Sequence, residues 1–133
     1  MILAILPDRE PDDYGSGHFG ASRGNRKHNG IDFACVPGTE ILAPEDGEVT
    51  RLGFPYSDDL SYRYVQITDE TGKHHRVFYV EPEVEVGFYC VRGITIIGRA
   101  QNISARYTER GKMNNHVHYE IKRNGEYFNP CES

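Results

Sequence analysis

His116-Val117-His118-Tyr119-Glu120-Ile121-Lys122-Arg123-Asn124-Gly125-Glu126-Tyr127-Phe128 is the stretch that decides the fold. From Val117 to Lys122 apolar and polar residues alternate, the period of a half-buried strand. Asn124-Gly125 then predicts a two-residue turn into Tyr127-Phe128, because both positions accept the left-handed backbone that such turns need. On an extended segment His116 and His118, two apart, point to the same face. Upstream stands His28-Asn29-Gly30-Ile31-Asp32, where Gly30 and Ile31 argue against a helix and for a loop entering a strand. Together the two segments supply three nitrogen or oxygen ligands, His28, Asp32 and His118, with one position left open. That is the layout of a catalytic zinc site rather than a structural one. His116 is expected beside the metal, not on it.

The bulk properties agree with one small β-rich unit. A chain of 133 residues fits a single domain, 1–133, and can bury one real core. With 14 Gly and 7 Pro beside many Tyr, Phe, Val and Ile, it favours short strands and tight turns. A net charge of −5 with no Lys/Arg cluster argues against a nucleic-acid partner and for weak adsorption to anionic surfaces. Cys35, Cys90 and Cys131 are odd in number and widely spaced, so they read as reduced thiols. Met1–Leu6 has no basic start and only a short apolar run, and reads as a first strand rather than an export signal. No stretch is long enough to span a membrane, so no membrane partner is expected.

Along the chain, Ile2–Leu6 reads as a strand and residues 7–27 as a long surface excursion of the kind that usually carries function. Ile31–Phe33 is a short strand. Glu40–Ala43 and Gly47–Leu52 read as a hairpin around Pro44-Glu45-Asp46-Gly47, whose Asp-Gly is a hairpin signal. Tyr62–Thr68 turns at Asp69–Gly72 into His75–Tyr79, and Val84–Tyr89 and Ile94–Gly98 follow. Residues 100–115 read as loop with at most one helical turn. His18, His74 and His75 read as solvent-exposed, Cys35 and Cys90 as buried small hydrophobes, and the acidic run Glu81–Glu85 as a solvated strand face.

These residues, in order, resemble peptidase family M23, the lysostaphin-like zinc endopeptidases that cleave peptide bridges of bacterial peptidoglycan. Phe19-Gly20-Ala21-Ser22-Arg23 is similar to the family's FGxR opening, and His28–Asp32 to its HxGxD ligand motif. Val36-Pro37-Gly38-Thr39 with Ala43–Val49 resembles its PGT…A…DGxV segment. Val86-Gly87 through Gly98 resembles VxxGDxVxxGQxIG. His116–Glu120 is similar to HLHFE, and Asn129-Pro130 to the closing NP. The resemblance implies a mainly antiparallel β fold with long loops around a zinc cleft. It implies zinc held by His28, Asp32 and His118, with His116 as general base or orienting the zinc-bound water, and a peptidoglycan peptide as substrate.

One segment departs from the pattern. Active members carry a second catalytic histidine in a YxHL-like stretch, where this chain reads Val77-Phe78-Tyr79-Val80-Glu81-Pro82. Tyr79 or its immediate neighbour takes that place, in the manner of the family's non-proteolytic chemotaxin branch, which pairs FYxxP with an intact HVH. Amide hydrolysis on zinc needs a polarising metal, a base and a donor to the developing oxyanion. Tyr79 can supply the donor through its phenol. Two functions therefore stand: a zinc endopeptidase with His116 and Tyr79 catalytic, or a zinc-holding module without turnover, in a structural or binding role. Without an export signal, a phage lysis or tail protein with virion partners is the expected route to the wall.

Overall fold

An eight-residue strand, His116–Arg123, is the member on which the others are arranged. The computed structural model describes residues 22–23, 26–27, 30–106 and 115–128. Its strands in chain order are β1 (Ser22–Arg23), β2 (Arg26–Lys27), β3 (Ile31–Ala34), β4 (Glu40–Leu42), β5 (Gly47–Gly53) and β6 (Tyr64–Thr68). They continue as β7 (His74–Phe78), β8 (Val80–Pro82), β9 (Tyr89–Cys90), β10 (Ile96–Ala100), β11 (His116–Arg123) and β12 (Glu126–Phe128). Among the described residues the helical structure is a single 3-10 turn, Ile103–Arg106. No helix there is long and apolar enough to cross a membrane.

Every strand pairing is antiparallel. The larger sheet runs β12-β11-β7-β6-β5-β9, and β3 also pairs with β11. Because β7 takes one edge of β11, β3 and β12 lie end to end along the other, opposite residues 116–119 and 121–123. A second sheet, β4-β10-β8, has three strands. The core fills the space between: Ile31, Phe33, Val49, Val65, Ile67, Val77, Val117 and Ile121 from the large sheet meet Ile41, Val80 and Ile97 from the small one. The predicted Asn124-Gly125 turn forms with φ of 52° and 80°, both left-handed as a two-residue hairpin requires.

Three expectations are corrected. Glu40–Ala43 and Gly47–Leu52 do not pair as a hairpin: β4 joins β10, while β5 joins β6 and β9. The Asp46 carboxylate that marked the turn accepts from the Arg92 amide at 2.7 Å, and Ala43 N donates to Thr95 O at 2.8 Å. Residues 43–46 therefore carry the chain from one sheet to the other. Val84–Tyr89 is mostly turn, since Gly87 takes φ 98° and Phe88 N closes back on Glu85 O. The strand there is β8, which covers only Glu81 and Pro82 of the acidic run, whose Glu81, Glu83 and Glu85 are exposed as expected. His75 is not exposed but buried in the core, and His74 is half-buried with Nδ1 2.8 Å from the Thr68 hydroxyl. Cys90 is buried as expected, and Cys35 and Cys90 are free thiols. Ile2–Leu6, His18 and Cys131 lie outside the described residues.

His75 survives burial because both ring nitrogens are satisfied. Its Nε2 donates to Asp69 Oδ2 at 2.8 Å, and its Nδ1 is 2.7 Å from the Tyr119 hydroxyl. Burial works against the Asp69 charge. Hydrogen bonds from His75, from the Thr71 hydroxyl and from the Lys73 and Thr71 amides outweigh it and hold the carboxyl down at about 2, against an ordinary 3.8. A carboxyl depressed on folding stabilises the native state above its unfolded pKa and loses that contribution as pH falls through the folded one. Urea unfolding of the wild type and Asp69→Asn should therefore differ at pH ~5. The gap in their midpoints should narrow as the pH is taken down to ~2.5.

Candidate functional site

Asp32 and His118 meet because β3 and β11 pair in a register that sets their Cα atoms opposite each other. His118 Nδ1 donates to Asp32 Oδ1 at 2.9 Å, and His116 Nε2 stands 3.7 Å from Oδ2 of the same carboxylate. The Asp32 side chain is 2% exposed and that of His118 is 14% exposed. The imidazole is thus the member of this pair that reaches the surface of the sheet. Alternation puts Ile31, Phe33, Val117 and Tyr119 on the core side, so Asp32, His116 and His118 share the opposite face.

His118 is held from both sides. Its Nε2 donates to Glu120 Oε1 at 3.1 Å. Carboxylates only accept, so both ring nitrogens carry protons here. Burial acts to lower the His118 pKa, but hydrogen bonds to Asp32 and Glu120, with the attraction of both charges, push it up to about 9. These donors suit a divalent cation. A buried carboxylate faces Nδ1 across a gap bridged by a proton, the position a divalent cation would take in its place. The Nε2–H to Glu120 bond is of the kind that would orient the ring of a metal-ligating histidine. Asp32 and His118, expected as ligands, are therefore together, and His116 is beside them. His28, the third expected ligand, lies outside the described residues, and among those described no group of three donors converges on one point.

Gly30 explains why this motif needs its glycine. A Cβ at this position would collide with the Tyr119 carbonyl oxygen and lie 2.9 Å from His118 Cε1. Backbone and imidazole can pack this closely only over a bare Cα.

Tyr79 faces His116. Their rings meet edge to face, with centroids 5.5 Å apart and planes at 87°. Tyr56 stacks on Tyr79 at 6.2 Å and its hydroxyl donates to the Tyr79 oxygen at 3.4 Å. Tyr62 packs edge-on at 6.5 Å. The Tyr79 backbone adopts φ 71°, an uncommon conformation for so large a residue. It is held there by Tyr79 N donating to Arg63 O and Gln101 N donating to Tyr79 O, each at 2.8 Å. This kink carries the chain out of β7 and into β8 in the other sheet.

Glu120, Tyr56 and the reason for Gly30 were not singled out by sequence. Glu120 had a signal, since two residues after His118 on a strand is the same face. Tyr56 had none, because only the tertiary fold brings residues 56 and 79 together.

The model of peptidase family M23 matches residues 26–130, and the chain belongs to that family. An uncharacterized metalloprotease of Haemophilus influenzae is 27% identical over 105 residues, covering 79% of this chain and 20% of that protein. Leukocyte cell-derived chemotaxin-2 of Mus musculus is 30% identical over 74 residues, 56% of this chain and 49% of the relative. The chain thus spans half or less of the length of these relatives. Among solved structures, the catalytic domain of a point mutant of the prophage-encoded M23 protein EnpA from Enterococcus faecalis superimposes with a TM-score of 0.67 at 24% identity, covering 96% of each chain. The mainly antiparallel β fold is therefore that of the family.

Gly30→Ala should destabilise the protein by about 1–3 kcal/mol, the usual range for overpacking, measured by urea unfolding. Metal affinity should fall with it, since the same Cβ displaces the His118 ring.

Proposed function

We propose that this chain is a zinc-dependent endopeptidase that hydrolyses a peptide bond of the stem or cross-bridge of peptidoglycan. The observation that carries this reading is the convergence of Asp32, His118 and His116 on one face, with the Tyr79 ring against His116. His28, Asp32 and His118 are the residues that would hold the metal. Zinc, when bound, supplies the Lewis acidity that polarises a scissile carbonyl and makes water acidic enough to attack.

The chain's own residues do the rest. His116, fixed next to the Asp32 carboxylate, takes the proton of the attacking water and passes it to the leaving amine. Tyr79 donates its phenolic hydrogen to the carbonyl oxygen as charge gathers there. Tyr56, stacked on Tyr79, helps to hold its ring in place. A non-Gly residue kept at positive φ beside reacting groups is the kind of strain that collects at functional sites.

The second reading is a zinc-holding module with a structural or binding role, such as a component of a phage particle. The lack of any histidine in residues 76–86 and the similarity to a chemotaxin support it.

Release of amino groups from purified peptidoglycan separates the two. The endopeptidase reading expects cleavage by the zinc-loaded protein that disappears in His116→Ala while zinc stays bound. Tyr79→Phe should slow cleavage by about 10²–10³, the typical loss for one oxyanion donor. Zinc bound stoichiometrically without cleavage of several wall chemistries would leave the module.

A further inference from the structure

Beyond His118 the polar contacts do not stop at Glu120. Glu120 Oε2 accepts from Arg76 Nη1 at 3.4 Å, and Arg76 Nε donates to Gln66 Oε1 at 2.7 Å. Gln66 Nε2 donates to the Thr50 hydroxyl at 3.0 Å, which shares a 2.7 Å bond with that of Thr68. This row crosses the sheet one strand at a time. Glu120 on β11 lies directly opposite Arg76 on β7, and Arg76 directly opposite Gln66 on β6. Thr50 is the extra residue of a bulge in β5, where Val49 pairs with Ile67 and Arg51 with Gln66. Bulges re-aim side chains, and this one brings the Thr50 hydroxyl to the end of the row.

Such a row is expensive to assemble on a sheet face unless each member is paired. The Glu120 side chain is 9% exposed and that of Arg76 is 22% exposed. The Arg76 fork spends two different nitrogens on two partners, which fixes the plane of the guanidinium and the position of the Glu120 carboxylate. With Glu120 so placed, the His118 ring is fixed by its Nε2 and presents Nδ1 to Asp32. Which imidazole nitrogen meets a metal is set by the bond the other one makes.

We infer that Arg76 is a positioning residue of the metal site: held by Gln66, it locks Glu120 so that His118 offers Nδ1 to the ion. This rests on the zinc reading above. Arg76 touches neither Asp32 nor His118 through any of these bonds, so its influence passes through Glu120. Lysine is no substitute, because a single ammonium cannot bind Glu120 and Gln66 from a fixed plane.

The test is zinc affinity of the full chain, measured by competition with a chromophoric chelator. It uses the wild type, Arg76→Gln, Arg76→Lys, Glu120→Gln and the double variant Arg76→Gln/Glu120→Gln, with metal-free melting temperatures as the check on folding. Loss of an outer partner of a metal-bound histidine lowers affinity by roughly 10–100-fold. Arg76→Gln and Glu120→Gln should each fall in that range, and Arg76→Lys should recover only part of the loss. The double variant should bind no more weakly than Glu120→Gln alone, because Arg76 acts through that carboxylate. Additive losses, or wild-type affinity in Arg76→Gln, would overturn the inference while leaving the zinc reading intact. A wild type that binds no zinc would sink the zinc reading itself, and this inference with it.

Discussion

The two-residue period of β11 is the constraint from which both the core and the site follow. Val117, Tyr119 and Ile121 point into the core, while His116, His118 and Glu120 take the other face. A slip of one residue would drive two imidazoles and a carboxylate among aliphatic side chains and push Val117, Tyr119 and Ile121 outward. Register is therefore specified by burial on one side and by charge on the other. β3 shares that register, delivering Ile31 and Phe33 to the core in the same step that delivers Asp32 to His118. The site needs no separate scaffold, since forming the hydrophobic layer already aligns its members.

The sheet carries a carboxylate–imidazole pair on each face. On the core side Asp69 and His75 are closed off by the Tyr119 hydroxyl. On the other side Asp32 and His118 continue into Glu120 and Arg76. Both pairs are largely buried, and both persist because each buried group has a partner. They differ in access. Tyr119 seals its histidine inside the protein, whereas His118, one residue earlier, reaches the surface. Similar chemistry thus staples a turn to the core on one face and leaves a carboxylate–imidazole pair within reach of solvent on the other.

The parts legible in sequence are those where a short period or a turn residue decides the outcome. The His-Val-His alternation, the Asn124-Gly125 turn and the strand entry at Ile31 all depend on neighbours along the chain, and they fold as read. The Pro44–Gly47 stretch carried an equally good local signal and failed, because the Arg92 amide takes the Asp46 carboxylate and the Thr95 carbonyl takes the amide of the preceding Ala43. Such competition is invisible until distant segments are brought together. His74 and His75 show the same limit: adjacent on a strand, they face opposite sides, and only Tyr119 and Asp69 make the core side tolerable for His75. Asp32 and His118 were readable as a pair, while the row from Glu120 through Arg76 to Gln66 depends on several strand registers at once.

The left-handed backbone at Tyr79 has an evolutionary consequence. That conformation is poorly suited to most large side chains, and histidine is among those that enter it more readily than average. The bonds that hold it come from Arg63 and Gln101 to the main chain of residue 79, so they are indifferent to the side chain there. Codons for tyrosine and histidine differ by one pyrimidine transition. If this is the place of the family's second histidine, the distance between the two chemistries is a single base, crossed without rebuilding the loop.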